Sequence, residues 1–215
     1  MQKFTKAHDG PYTGLLSDYH HQGFYSELYG QADNELVREV CRRLEAYELK
    51  DLRKRWKQAD HELFDLGITF TVYSHTQTID RVLPFDVIPR VINRADWTVI
   101  ERGVTQRVAA LNAFLHDIYH DEHILRDGVI PPELVKGNKH YRPEMRGVHV
   151  PRKTYIHVAG IDLVRDHEGN FCVLEDNART PSGVSYVLEN RHLMMRSFPD
   201  LATGIPIAEI DNYGT

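Results

Sequence analysis

The sequence TYIHVAGIDLVRDHEGNFCVLEDN, residues 154–177, decides the fold of this chain. Its runs 154–165 and 171–177 are rich in β-branched and aromatic residues, which predict two strands. Residues 166–170 between them, DHEGN, have the composition of a tight turn. The stretch therefore predicts a β-hairpin.

Three polar residues of the predicted hairpin are candidate ligands for a divalent metal ion. Glu175 and Asn177 are two residues apart, so both should project from one face of the second strand. With the turn centred between residues 168 and 169, Asp162 lies directly opposite Glu175. Opposed carboxylates destabilise a sheet unless a cation lies between them, and Mg²⁺ accepts carboxylate and amide oxygens. The alternative is a polar hairpin surface in a different register.

A candidate anion site follows the hairpin along the chain. Residues 179–183, RTPSG, lead into a predicted helix that Phe198-Pro199 ends. The N-terminus of a helix attracts anions through its N–H groups and its dipole. A metal site with an anion pocket a few residues away is typical of nucleotide-phosphate or acyl-phosphate chemistry. Helix capping also explains the two serines among the expected phosphate ligands, which are Ser182, Gly183 and Ser185.

Upstream of the hairpin, the spacing of apolar residues predicts two helical regions and a strand. The first helical segment runs from residue 33 to a stop at Gly67, and residues 68–73 follow as a strand. Residues 81–92 contain two prolines that exclude a helix. A second helix begins at Asn93 or Asp96 and could divide at Gly103, and residues 136–153 predict a loop.

These elements predict an α/β (α+β) fold with a mixed, antiparallel-rich sheet flanked by helices. Residues 1–30 show no period of 2 or 3.6 and are expected to form an irregular N-terminal segment. Residues 31–215 are expected to form a single domain.

The composition excludes several other classes of protein. Hydrophobic residues make up 41% and charged residues 27% of the chain, which is a globular balance. A formal charge of −5 gives no general attraction to nucleic acid or to anionic membranes. The chain shows neither a membrane-length apolar run nor a signal peptide, and its two cysteines are too few for a disulfide framework. We expect a cytoplasmic protein with neither a nucleic-acid nor a membrane partner.

Histidines and cysteines offer weaker candidate sites. His116, His120 and His123 have the spacing of one helix face and could bind zinc, but the acidic residues around them favour a polar helix end. Cys172 should face away from Glu175, which favours a buried apolar thiol over a nucleophile. His20, His21 and His75 are expected to be surface residues or to have satisfied hydrogen-bond partners.

A set of longer motifs extends along most of the chain. They are LPFDVIPR at 83–90, ERGVTQR at 101–107, ALNAFL at 110–115, DIY at 117–119, GVIP at 128–131, GIDLVR at 160–165 and VLEDNARTPSGVSY at 173–186. In this combination they resemble the circularly permuted ATP-grasp family, and are similar to the ligase half of glutathionylspermidine synthase. The resemblance covers roughly residues 60–200.

The resemblance implies a ligase with ATP and Mg²⁺ as cofactors, which joins a small-molecule carboxylate to an amine through an acyl phosphate. It implies that Asp162, Glu175 and Asn177 hold the metal. Many members place an arginine two residues before the metal-binding aspartate, where this chain has Gly160. Another arginine would then have to stabilise the transition state, Arg179 as the first choice and Arg90 as the second.

The nucleotide-binding part of such a ligase is expected to lie outside this sequence. In the permuted order most of it follows the metal motif, and the chain has neither a GxGxxG nor a GxxxxGK loop. The chain is then expected to be a fragment, a truncated reading frame or one subunit of a split enzyme. Two functions follow: the metal-binding portion of a ligase, or a non-catalytic or truncated module that needs a separate nucleotide-binding lobe or subunit.

The 215-residue polypeptide alone should bind ATP weakly or not at all, because groups that grip the adenine and the phosphates are expected elsewhere. Calorimetric titration with ATP measures this affinity. A nanomolar or low-micromolar dissociation constant would contradict the expectation.

Overall fold

The computed structural model describes residues 14–17, 24–28, 34–73, 78–210 and 213. These residues fall into two compact units. The first unit comprises the chain up to Asn93, the segment Arg165–Asn170, and the chain from Gly183 onward. The second unit comprises Arg94–Val164 and Phe171–Ser182. Most of the expected irregular segment 1–30 and His20, His21 and His75 lie outside the described residues.

Four α-helices, a 3₁₀ turn at Gly14–Leu16 and one small sheet make up the regular structure described in the first unit. The helices are α1 (Glu35–Glu45), α2 (Leu49–Asp65), α6 (Val184–Ser197) and α7 (Pro199–Ala202). The strands β1 (Thr69–Tyr73) and β2 (Thr78–Val82) pair antiparallel, with Thr69 opposite Val82. The strand predicted at residues 68–73 is therefore confirmed.

The predicted helical segment from residue 33 to Gly67 is two helices rather than one. Asn34 begins α1, because its side-chain oxygen accepts a hydrogen bond of 3.0 Å from the backbone N–H of Leu36. The chain then leaves the helical conformation at Glu48, which is extended. Both helices still bury their apolar faces in one core, whose members are Val40, Leu44, Ala59, Leu63, Phe85, Leu193, Phe198 and Leu201.

The second unit is built on one long helix. The helix α3 (Arg94–Ile118) continues through Gly103 without dividing, and two short helices follow it, α4 (His123–Arg126) and α5 (Pro132–Lys136). A small core joins these three helices through Ile118, Leu125 and Val135. The predicted loop 136–153 begins with Lys136, the last residue of α5; beyond it the loop contains two short 3₁₀ turns and otherwise has no regular structure.

The strands β3 (Gly160–Arg165) and β4 (Phe171–Asn177) form the second two-stranded sheet, as the sequence predicts. The prediction for β4 matches its observed bounds, but β3 begins six residues later than predicted. The Oδ1 atom of Asn112 on α3 accepts hydrogen bonds from the backbone N–H groups of Tyr155 (2.7 Å) and Ile156 (3.0 Å). A side chain therefore satisfies two backbone donors that a longer strand would have used.

The architecture is a mixed α+β fold with small antiparallel sheets, which confirms the predicted fold class. A single domain over residues 31–215 stays a prediction. Among the described residues, no helix combines the length and the apolar character needed to cross a membrane. The expected cytoplasmic location stays a prediction.

Candidate functional site

Glu175 and Asn177 lie together near the end of β4. The Nδ2 group of Asn177 donates a hydrogen bond of 3.0 Å to Oε1 of Glu175. This contact confirms that the two side chains share one face of the strand. Glu175 is exposed and Asn177 is half-buried, so both are within reach of solvent ions.

The turn of the hairpin is centred one half-residue earlier than predicted. The N–H of Asp166 donates to the carbonyl of Asn170 (3.0 Å), and the N–H of Gly169 donates to the carbonyl of Asp166 (3.1 Å). Asp166 therefore lies opposite Asn170, and a ladder continued regularly from this pair places Asp162 opposite Leu174. The predicted direct opposition of Asp162 and Glu175 does not follow from this turn: Asp162 lies opposite Leu174, and a regular strand points the side chains of Leu174 and Glu175 to opposite faces.

An ion pair that sequence reasoning missed attaches the end of β4 to α3. The guanidinium of Arg107 donates two hydrogen bonds to the carboxylate of Asp176, at 2.6 and 2.7 Å. The Arg107 side chain holds the pKa of Asp176 below its ordinary value, chiefly through these hydrogen bonds. Arg107 and Asp176 are 69 positions apart in the sequence, so no local pattern predicts their contact. The sequence shows only that Asp176 lies between the two candidate ligands Glu175 and Asn177.

Gly160 stands where the family resemblance leads one to expect an arginine, and the packing explains why this chain has none. A Cβ atom at Gly160 would lie 2.9 Å from Cβ of Pro181 and 3.6 Å from Cβ of Asn177. The proline ring cannot move aside as a flexible side chain could. A glycine here thus permits the close approach of the segment that carries Asn177.

The two arginines that were candidates for the missing role have different surroundings. Arg179 is exposed, and within the described part of the chain its guanidinium has no hydrogen bond or ion pair. Arg90 pairs with Glu27, with its Nη2 atom 2.8 Å from Oε1. Arg90 is therefore committed to a carboxylate of the first unit, whereas Arg179 is available to a ligand.

The predicted anion-binding segment begins the helix α6. Gly183 occupies the N-cap position in the left-handed conformation, with φ 93°, and no side chain caps the helix. The interpretation of Ser182 and Ser185 as capping residues is therefore wrong. Both serines are exposed.

The weaker candidate sites are not supported. The helix α3 ends at Ile118, so His116 lies in α3, His120 lies beyond its end and His123 belongs to α4. Residues of the described ranges form no group of three or more His, Cys, Asp or Glu side chains that could hold a metal ion. Cys172 is exposed, so the expectation of a buried thiol is wrong.

Comparison with known proteins decides the family. A family model described as a circularly permuted ATP-grasp matches residues 89–215, which is more than half of the chain. This chain belongs to the circularly permuted ATP-grasp family. Membership in the family implies the use of ATP and a divalent metal in general terms.

Several curated relatives are much longer than this chain. An uncharacterized protein of Synechocystis sp. is 45% identical over 162 residues, which are 75% of this chain and 34% of the relative. An uncharacterized protein of Mycobacterium tuberculosis is 47% identical over 168 residues, 78% of this chain and 30% of the relative. A Frankia alni protein named "Putative glutamate–cysteine ligase 2-3" is 40% identical over 192 residues, 87% of this chain and 22% of the relative. The chain therefore spans about a third or less of the length of these relatives.

Replacement of Gly160 by alanine should destabilise the protein by about 1–3 kcal/mol, because the added methyl group collides with the ring of Pro181. Gly103→Ala is the matched control, since a Cβ atom there meets nothing within 4 Å and Gly103 lies inside α3. The control should stabilise the helix by about 0.5–1 kcal/mol. Urea unfolding measures both free energies, and equal effects of the two substitutions would contradict the packing argument.

Replacement of Arg107 by glutamine should raise the pKa of Asp176 toward its ordinary value, because the hydrogen bonds that favour the ionised carboxylate are lost. The ion pair stabilises the folded protein above the pKa of Asp176 in the unfolded state, about 3.9. This stabilisation is lost as the pH falls through the lower pKa of Asp176 in the folded state. An NMR titration of the Asp176 carboxyl carbon measures the shift, with Arg102→Gln as a control on the same helix. A pKa of Asp176 that is the same in both variants would overturn the assignment.

Proposed function

We propose that this chain supplies the metal-binding part of an ATP-dependent carboxylate–amine ligase similar to the ligase half of glutathionylspermidine synthase. The observation that carries the proposal is the pair of Glu175 and Asn177 on one face of β4, in a chain that belongs to the ATP-grasp family. A glutamate–cysteine ligase name among the relatives supports a ligase-type module.

The donor atoms near the end of the hairpin suit a magnesium ion. Asp162 and Glu175 are exposed carboxylates, and neither is paired with a basic side chain among the described residues. Asp176 beside them differs, because Arg107 neutralises it. Two such carboxylates and the amide oxygen of Asn177 form the oxygen donor set that Mg²⁺ binds together with water and phosphate oxygens.

The neighbours of these residues indicate which way they point. Leu163 and Val173 line a cavity against α3, and every second side chain of a strand points to the same face. A regular alternation therefore places Glu175 and Asn177 on the face of Val173 and Asp162 on the opposite face, so the pair on β4 carries the proposal and Asp162 is a proposed ligand on the family resemblance alone. Arg107 binds Asp176 between this pair and is a positioning residue that acts on Glu175 and Asn177 through that contact.

In the proposed reaction, a carboxylate oxygen of the acid attacks the γ-phosphorus of ATP and forms an acyl phosphate with release of ADP. The amine nitrogen then attacks the acyl carbon, phosphate leaves and the amine loses a proton. A bound Mg²⁺ would neutralise charge on the transferred phosphoryl group. The acid and the amine are small-molecule substrates.

The helix start and the arginines supply the other proposed groups. The N–H groups in the first turn of α6 have no side-chain cap, and we assign Ser182, Gly183 and Ser185 to phosphate binding. Arg179 is the preferred residue for stabilising the transition state, because it has no carboxylate partner among the described residues, whereas Arg90 pairs with Glu27.

A second function is favoured by the length of the relatives. Because the matched region is about a third or less of each relative, the same fold could serve as a non-catalytic or truncated module that needs a separate nucleotide-binding part. The metal site distinguishes the two, since a module without catalytic function has no need of metal ligands.

Binding of Mn²⁺, followed by electron paramagnetic resonance, tests the metal assignment. We expect Glu175→Gln, Asn177→Ala and Asp162→Asn each to weaken Mn²⁺ binding at least tenfold, because Asn177→Ala removes a donor oxygen and the other two changes replace a charged carboxylate with a neutral amide. Glu133→Gln is the control, since Glu133 is an exposed carboxylate on α5. Wild-type affinity in Glu175→Gln and Asn177→Ala would refute the site and favour the non-catalytic module, and wild-type affinity in Asp162→Asn alone would remove Asp162 from it.

A further inference from the structure

The first unit contains a cavity that neither the metal assignment nor the phosphate assignment uses. Its volume is about 450 Å³, which lies within the range of small-molecule sites in proteins. One wall is a single face of α2 and carries Leu49, Leu52, Arg53 and Trp56, which follow helical spacing. The other wall is the segment 84–87 of the motif LPFDVIPR. The lining is therefore mostly apolar, as it is in sites that bind small organic molecules.

Packing holds the two walls of the cavity together. The Nε1 group of Trp56 donates a hydrogen bond of 3.0 Å to the backbone carbonyl of Phe85. Phe85 is buried, and its ring stacks on the ring of Phe198 in the core at a centroid distance of 6.3 Å. Trp56 is nevertheless 42% exposed, so part of its indole ring is open to a ligand. The apolar surface of the cavity is thus formed by groups that other contacts already hold in place.

Two groups of opposite charge line the cavity without neutralising each other. Arg53 is exposed, and within the described part of the chain it has no hydrogen bond or ion pair. Asp86 accepts a hydrogen bond of 2.9 Å from the backbone N–H of Ile88, and no basic side chain of the described ranges pairs with it. A guanidinium binds a carboxylate through two parallel hydrogen bonds, and a carboxylate accepts hydrogen bonds from an ammonium group. Charge complementarity therefore favours a ligand that carries both a carboxylate and an ammonium group.

We propose that this cavity binds a small zwitterion with an apolar body, of the class of apolar amino acids. The side chain of the ligand packs against Trp56 and Phe85, its carboxylate binds Arg53 and its ammonium group binds Asp86. A wholly apolar ligand would cover both charges without pairing them, which is unfavourable. Eight residues line the cavity, whereas a stable protein interface takes about 20–30 residues a side. This inference goes beyond the proposed function and does not depend on the metal assignment.

The fluorescence of Trp56 tests the proposal with L-phenylalanine as the probe. The chain has two tryptophans, and Trp97→Phe leaves Trp56 as the one emitter; Trp97 is 54% exposed on α3, so this change should preserve the fold. We expect phenylalanine to shift the emission to shorter wavelength and to protect it from acrylamide, because the ligand replaces water at the indole ring. The dissociation constant should be about 1 mM or lower.

Two analogues of the probe test the charge assignments without any change to the protein. Phenylalaninamide lacks the carboxylate, and 3-phenylpropionate lacks the ammonium group. Each should bind at least tenfold more weakly than phenylalanine, because each leaves one charged group of the cavity unpaired. The comparison is independent of whether a variant folds.

Matched variants assign each end of the ligand to a residue. Arg53→Gln should weaken the binding of phenylalanine at least tenfold and leave the binding of phenylalaninamide unchanged, because the lost partner is the carboxylate. Asp86→Asn should likewise weaken phenylalanine and leave 3-phenylpropionate unchanged, and its amide oxygen can still accept the hydrogen bond from Ile88. Lys54→Gln is the control, since Lys54 is an exposed cation next to Arg53 on α2 that does not line the cavity. Thermal melting shows that each variant is folded.

Three results would each overturn the proposal. They are an unchanged emission of Trp56 up to about 10 mM phenylalanine, equal affinity of Arg53→Gln and Lys54→Gln for phenylalanine, and binding of phenylalaninamide as tight as that of phenylalanine. Glu175→Gln should bind phenylalanine like the wild type. Loss of metal binding and loss of amino-acid binding are therefore separate outcomes.

Discussion

The ion pair between Arg107 and Asp176 is the contact on which the candidate site depends. It joins α3 to β4 next to the two residues that we assign to the metal, and its two short hydrogen bonds give it a defined geometry. The carboxylate of Asp176 is occupied by Arg107, whereas its neighbours in the chain, Glu175 and Asn177, form a hydrogen bond with each other. Of these three side chains, Asp176 therefore attaches β4 to α3, and Glu175 and Asn177 are left for a ligand.

Much of the hairpin could be predicted from local sequence, but its surroundings could not. The alternation of residues 171–177 gave the bounds of β4 and the shared face of Glu175 and Asn177, because strand periodicity is a local property. The late start of β3 depends on the amide of Asn112, more than 40 residues away. The register near the turn depends on the hydrogen bonds of Asp166, which the composition of DHEGN does not specify. Arg107 and Asp176 meet through tertiary packing alone.

Gly160 is the position where the sequence of this chain departs from the family pattern that it resembles. The absent arginine has a packing reason, because Pro181 and Asn177 occupy the space beside Gly160. A glycine at this position permits the segment that carries Asn177 to approach β3 closely.

The anomalous scattering of Mn²⁺ in crystals of this protein is the most direct test of the central claim. The account predicts one anomalous peak about 2.0–2.3 Å from oxygen atoms of Glu175 and Asn177, the distance at which carboxylate and amide oxygens bind such ions. Manganese peaks that lie only elsewhere on the molecule, with no peak at the end of β4, would contradict the account.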